Sequence, residues 1–305
     1  MLHEGDIGGF VLQKPLVIGH EATARVVEVG SKVTALKPGD IVTIEPALPC
    51  LECKECRSGH YNWCEICNKQ AKGLPHTDGF LQRLYNHPAD FCYKIPESVS
   101  PEVGALAEPL AVIVHAARRS GLTVGQRILV TGAGTMGLLA FLLSKAYGAA
   151  SVIVADINES RLKLAKELGA DHVFLLNKSM TPIESGKKIK DMCGGPVDIT
   201  FECTGAEPCN QLAIEASKFG AKVVAVGLGP NLIKIPLSTA SLKEIDIIGI
   251  CRFNAGCFDL AVHFLPKLAL NRIVSHIFKL QEIGKAFETM DKGEGVKIMI
   301  DCRPN

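Results

Sequence analysis

Four cysteines, Cys50, Cys53, Cys56 and Cys64, follow one another in the spacing C-x2-C-x2-C-x7-C. Thiolates this close can close a tetrahedral sulfur shell around zinc, and a closed shell leaves no position for a reacting molecule. The expected chemistry is therefore structural. Cys67 is a further thiol with no place in that spacing. A different signal is His20-Glu21, in PLVIGHEATA. Neighbours on a regular strand point to opposite faces, so both can reach one metal only where the backbone bends, and Gly19 could supply the bend. Glu108, in GALAEPLAV, places a carboxylate in an apolar run just before Pro109, where burial demands a partner. Taken as residues alone, the three leave open both a second, catalytic metal and ordinary satisfied polar groups.

Gly132, Gly134 and Gly137 form G-x-G-x-x-G between the apolar run Ile128 to Val130 and a helical segment. A second apolar run, Val152 to Val154, ends in Asp156. Strand, glycine turn, helix and acid in that order are the context of a dinucleotide site. The first glycine permits the tight turn, the second lets backbone approach pyrophosphate, and the third lets helix pack on strand. The diphosphate would meet the unsatisfied N–H groups of the helix N-terminus. A carboxylate at Asp156 would bond a ribose 2′-hydroxyl and repel a 2′-phosphate. Ile157 follows it, so NAD is expected over NADP.

Two kinds of element must position these groups. Residues 1–110 read as β-rich, with strands over Ala22 to Val29 and Asp40 to Ile44 joined through the turn Lys37-Pro38-Gly39-Asp40, and the pattern resuming near Phe80 to Tyr85. Beyond that the rhythm changes to strands at 127–131, 152–156, 172–176, 198–203, 222–227 and 245–250, with helices at 135–147, 159–168, 183–192 and 207–218 between them. Regular βαβ alternation predicts a doubly wound parallel sheet. Helices near 257–269 and 281–291 and a strand from Val296 to Asp301 close the chain.

Composition narrows the class. With 305 residues, 47% hydrophobic and 21% charged, the chain has the make-up of one large or two ordinary folded domains. A net charge of +1 gives no reason to expect nucleic acid or an anionic membrane as partner. The opening MLHEGDIGGF has no apolar core of a secretion signal, and the apolar helix Met136 to Leu143 breaks at Ser144 and Lys145, short of a membrane span. Twelve cysteines without a leader point to metal or free thiols and to the cytoplasm.

PLVIGHEATARVVEVG, LKPGDIVTIEP, the four-cysteine lobe, GALAEPLAV, RILVTGAGTMG, FECTGAE, VGLG and GVKIMIDC run in the same order as in a known family. Over essentially the whole chain the sequence resembles the zinc-dependent medium-chain dehydrogenases, and within them the polyol (sorbitol, L-iditol) type. The resemblance implies a GroES-like catalytic domain over 1–110 carrying the zinc lobe at 50–64, a Rossmann NAD-binding domain over 111–251, and a return segment, 252–305, that completes the catalytic domain. The active site is expected in the cleft between the two. It implies His20 and Glu21 as catalytic-zinc ligands, with Glu108 contacting substrate. It also implies Gly132, Gly134, Met136, Gly137, Asp156, Arg161, Val226, Gly227, Leu228, Cys251 and Arg252 as cofactor contacts, and Arg252 and Phe253 as substrate contacts. Phe253 stands where the family has a tyrosine. The implied reaction is oxidation of a polyol secondary alcohol to a ketose, sorbitol to fructose in type, by an oligomer of two or four subunits. An alcohol, threonine or butanediol dehydrogenase, or a non-catalytic NAD-binding protein, is the alternative. The family's opening segment carries a cysteine ligand of catalytic zinc. No cysteine precedes Cys50 here, so an incomplete GroES-like domain and weak turnover are expected.

Overall fold

A computed structural model describes residues 6–7, 10–11, 14–73 and 76–304; the opening residues on which the leader reading rests lie mostly outside the described ones. The chain divides into two compact units, 1–112 with 252–305, and 113–251.

The first unit opens with a short antiparallel pair, β1 (Asp6–Ile7) and β2 (Phe10–Val11). It continues into an antiparallel sheet of β3 (Ala22–Arg25), β4 (Ile41–Ile44) and β5 (Cys92–Lys94). The expected turn between β3 and β4 forms as read. Gly39 sits at φ +95°, and the Lys37 N–H donates to the Asp40 carboxylate at 2.9 Å. The run from Phe80 to Tyr85 is not a strand. Its N–H groups at Gly79, Phe80 and Leu81 donate instead to the carbonyls of Val17, Gly19 and Ile18, and the Phe80 ring joins the core of Leu36, Val42 and Ile44. Between β4 and β5 lies the cysteine lobe, with α1 (Lys54–Arg57) and α2 (Glu65–Gln70). Next come α3 (Pro101–Gly104), capped by Ser100, and α4 (Ala107–Ser120), whose first turn carries Glu108. The apolar run around Glu108 is thus helical, inside a stretch read as β-rich.

The second unit alternates without a break. Its elements are β6 (Arg127–Thr131), α5 (Thr135–Ala146), β7 (Ser151–Asp156), α6 (Glu159–Glu167), β8 (His172–Leu175), α7 (Pro182–Met192), β9 (Val197–Glu202), α8 (Glu207–Ala216), β10 (Ser217–Ala225), α9 (Leu237–Leu242) and β11 (Asp246–Gly249). The six strands make one parallel sheet in the order β11-β10-β9-β6-β7-β8. The order reverses between β6 and β9, and such a switch point opens a crevice at the carboxyl ends of the strands. Leu129, Ile153, Phe174, Ile189, Val197 and Leu212 are buried between sheet and helices. They give the strands the continuous apolar character of a sheet covered on both faces.

The return segment adds α10 (Cys257–Phe264), β12 (Val274–Lys279), α11 (Ile283–Asp291) and β13 (Lys297–Asp301) to the first unit. β12 was not legible in the sequence; it pairs parallel with β13 across α11. Among the described residues no helix is long and apolar enough to cross a membrane.

Candidate metal and dinucleotide sites

The four lobe cysteines converge. Their sulfurs all lie within 4.8 Å of one another, with Cys50 to Cys56 at 3.8 Å and Cys64 to Cys50 at 3.7 Å. These separations are far too long for disulfides. They match the edge of a tetrahedron with a zinc–sulfur bond of about 2.3 Å. Helix starts hold the sulfurs in place. The Cys56 N–H donates to Cys53 Sγ at the N-cap of α1, the Cys67 N–H to Cys64 Sγ at the N-cap of α2, and the Cys53 N–H to Cys50 Sγ at 3.3 Å. The N–H of Cys53 pulls the Cys50 thiol down. Burial alone would raise Cys64, but the Cys67 N–H and the neighbouring thiols outweigh it and bring it to about 6. Cys53 receives the Cys56 N–H yet is pushed up to about 12 by burial and by the sulfurs around it, and burial raises Cys56. A cation in the centre would remove that resistance to ionisation, so the donor set fits zinc. Cys67 is fully buried and stands outside the set.

His20, Glu21 and Glu108 also meet, each offering a ligand atom within 4.8 Å of the others. Gly19 makes the bend, at φ +95°. Two glycines that sequence reasoning passed over close on it: a Cβ on Gly79 would lie 2.1 Å from the Gly19 carbonyl oxygen, and one on Gly73 2.4 Å. Lys297, at the start of β13, was missed as well. Its Nζ pairs with Glu21 Oε2, leaving Oε1 as the other donor atom of that carboxylate. Burial lowers the His20 imidazole toward its neutral, ligating form. Burial works against ionised Glu21, but Lys297 and then His20 more than offset it and hold it low. Glu108, 7% exposed, is pushed up to about 8, first by burial and then by the Glu21 charge. One imidazole and two carboxylates form a borderline-hard donor set that suits a zinc ion with an open position.

Two expected substrate contacts, Arg252 and Phe253, lie where the return segment meets the lobe, and the Arg252 charge reaches His20 and Glu108. Arg252, at φ +51°, donates to Asn68 Oδ1 at 3.1 Å and ties the return segment to α2. Phe253 is 1% exposed, its ring 6.5 Å from Tyr61 and 5.7 Å from Phe258, within an aromatic core. A phenylalanine suits that place because a hydroxyl there would need its own partner.

In the second unit the glycine turn joins β6 to α5. Gly132 sits at φ +90°, and a Cβ on Gly137 would lie 1.7 Å from the Gly132 oxygen, whereas Gly134 has open space on that side. Asp156 ends β7, accepting the Ala133 N–H at 2.5 Å and the Asn158 N–H at 2.8 Å, so the acid also fixes the turn. Met136 lies in the first turn of α5. Arg161 lies in the first turn of α6, behind the Asn158 cap. Val226 and Gly227 leave β10 with both N–H groups on the Glu202 carbonyl at 2.8 Å, Leu228 is exposed, and Cys251 is exposed beyond β11. Gly137→Ala is expected to push the turn apart and lower the midpoint of thermal unfolding by about 5 °C or more. An unchanged midpoint in a melting experiment would refute that packing.

Comparison with known proteins places these features together. The family model described as zinc-binding dehydrogenase matches residues 135–267, and that of the alcohol dehydrogenase GroES-like domain matches residues 1–97. Sorbitol dehydrogenase of Gallus gallus is 44% identical over 98% of this chain and 84% of its own length. The crystal structure of L-idonate 5-dehydrogenase from Escherichia coli superposes with a TM-score of 0.86 at 30% identity, covering 97% of this chain and 84% of that one. An Escherichia coli alcohol dehydrogenase solved with NADH has a TM-score of 0.83 at 26% identity, over 94% and 84% of the two chains. By these matches over nearly its whole length, this chain, with its four-sulfur cluster, its His-Glu-Glu cluster and its dinucleotide-type turn, belongs to the zinc-binding dehydrogenase family.

Proposed function

We propose that the chain is a zinc- and NAD-dependent polyol dehydrogenase that oxidises a secondary alcohol to a ketose, sorbitol to fructose in type. The observation that carries this reading is the meeting of His20, Glu21 and Glu108 in a chain 44% identical to a sorbitol dehydrogenase. The first unit then handles metal and alcohol, and the second holds the dinucleotide. When bound, zinc would acidify a substrate hydroxyl and the nicotinamide would accept hydride.

The chain's own residues do the rest. His20 offers a neutral imidazole, and Glu21 an ionised carboxylate that Lys297 orients through one oxygen. In the metal-free chain Glu108 holds its proton up to about pH 8; a bound cation would displace it and leave a carboxylate able to accept a hydrogen bond from a hydroxyl beside it. Asp156 favours NAD by offering a carboxylate where NADP would bring a phosphate. Cys50, Cys53, Cys56 and Cys64 would hold a second zinc that takes no part in the reaction.

The test is NADH formation from NAD over a panel of sorbitol, xylitol, 2,3-butanediol, threonine and ethanol, with zinc counted per chain. Two zinc ions and preference for the polyols are expected. Butanediol or threonine as the preferred substrate would replace the polyol reading, and NADH binding without turnover of any alcohol would replace the enzymatic one.

A further inference from the structure

Glu202, the last residue of β9, is 0% exposed, and five donors converge on its carboxylate. Oε1 accepts from Thr131 Oγ1 at 3.1 Å, the Thr204 N–H at 2.8 Å and the Thr204 hydroxyl, and Oε2 from the Gly205 N–H at 2.9 Å and Asn210 Nδ2 at 3.3 Å. The same residue's carbonyl takes the N–H groups of Val226 and Gly227. One side chain and its backbone therefore join four pieces at the carboxyl ends of the strands. These are the end of β6 just before Gly132, the turn leaving β9, the start of α8, and the turn leaving β10.

The joined turns approach as closely as glycine allows. A Cβ on Gly132 would meet Thr204 Cγ2 at 2.9 Å, one on Gly227 the Gly205 nitrogen at 2.3 Å, and one on Gly229 the Gly205 oxygen at 2.0 Å. Gly205 itself sits at φ +70°. A shift of the Thr204–Gly205 turn is thus passed to Gly132 on one side and to Gly227–Gly229 on the other.

We propose that Glu202 is a positioning residue for the nicotinamide half of the dinucleotide, acting through the turns that follow β9 and β10. This rests on the NAD reading of the second unit. In a doubly wound sheet each half binds one mononucleotide. Asp156 and the turn after β7 lie on one side of the switch point, and Glu202 with the turns it ties lies on the other. Loss of the carboxylate loosens chiefly the second side: on the first it removes one Thr131 hydroxyl bond, while Asp156 still holds the glycine turn through the Ala133 N–H. Glutamine is close in size, but its NH2 would face N–H donors that then lack an acceptor, a mismatch that costs as much as a lost buried hydrogen bond.

The experiment measures NADH and AMP binding to the full-length, zinc-loaded protein and to Glu202→Gln, by titration calorimetry. AMP reports the adenine side alone. The substitution is expected to weaken NADH about tenfold or more while AMP changes by less than about twofold. Unchanged NADH affinity overturns the proposal. So does an equal loss for AMP and NADH, which would make Glu202 a general support of the fold. If the unaltered chain binds AMP and NADH not at all, the NAD reading itself falls, an outcome distinct from both. Should Glu202→Gln fail to fold, Thr204→Val removes one hydroxyl donor and keeps the carboxylate. A loss of about threefold for NADH, with AMP unchanged, is then expected, and no loss overturns the proposal.

Discussion

Cys53→Ser is expected to lower the zinc content by one ion per chain and to unfold the lobe between β4 and β5. The lobe has little else to hold it. Its helices span four and six residues, too short to persist by themselves, and each begins at a cysteine whose sulfur accepts the capping N–H. Metal binding at such a site is folding free energy, about 10 kcal/mol or more in the smallest zinc domains. Here part of the lobe is also held by Arg252 on Asn68 and by Tyr61 on the Glu45 carboxylate at 2.6 Å, so loss of one ligand should leave the sheet folded. Elemental analysis and limited proteolysis between residues 50 and 72 would read the effect. Cys67→Ser is the control, being buried beside the cluster but outside it. Equal zinc loss from both variants would show that the four-sulfur assignment is wrong. A chelator strong enough to strip zinc should reproduce the Cys53→Ser cleavage pattern.

How much of this was legible beforehand depended on whether the signal was local. The second unit was readable almost element by element, because each strand there is a short apolar run and each helix begins at a polar cap such as Asn158 or Thr181. The glycine turn and the cysteine lobe were readable for the same reason, their partners being neighbours in sequence. The first unit was harder. Phe80 to Tyr85 has strand composition but bonds to residues 17–19, and α4 was hidden because residues 107–111 are buried on every side, so no polar face marks the helical period there. Lys297 lies 276 residues from Glu21, and nothing in either local pattern announces the pair. Glu202 was overlooked because a lone acid at a strand end has no spacing to mark it. Its significance comes from three turns that only the sheet order brings together. Arg252 and Phe253 were assigned by position; the structure adds that Arg252 bonds Asn68 of the lobe and that Phe253 packs with Tyr61 and Phe258, neither of which a local pattern announces.

His20→Ala is expected to abolish the second zinc, leave the lobe zinc and NADH binding in place, and reduce alcohol oxidation by about a thousandfold or more, the scale set by several kcal/mol of lost Lewis-acid assistance. Glu108 supplies the companion prediction, with a sign that can be worked out. Its pKa rises on folding, from an ordinary value of 4.5 to about 8. In the metal-free chain its contribution to stability is therefore present at low pH and is lost as pH climbs through about 8. A cation at the His20–Glu21–Glu108 cluster must displace that proton, so zinc affinity at this site should increase with pH, by at most about tenfold per unit, and level off above about 8. His20 does not contribute to the slope there, since burial keeps its imidazole neutral. Competition with a chromophoric chelator between pH 6 and 9, on protein whose lobe is already loaded, measures the slope. Glu108→Gln carries no such proton and should bind zinc more weakly but with a flat pH profile. A slope that survives in Glu108→Gln would move the titrating group elsewhere and detach Glu108 from the metal.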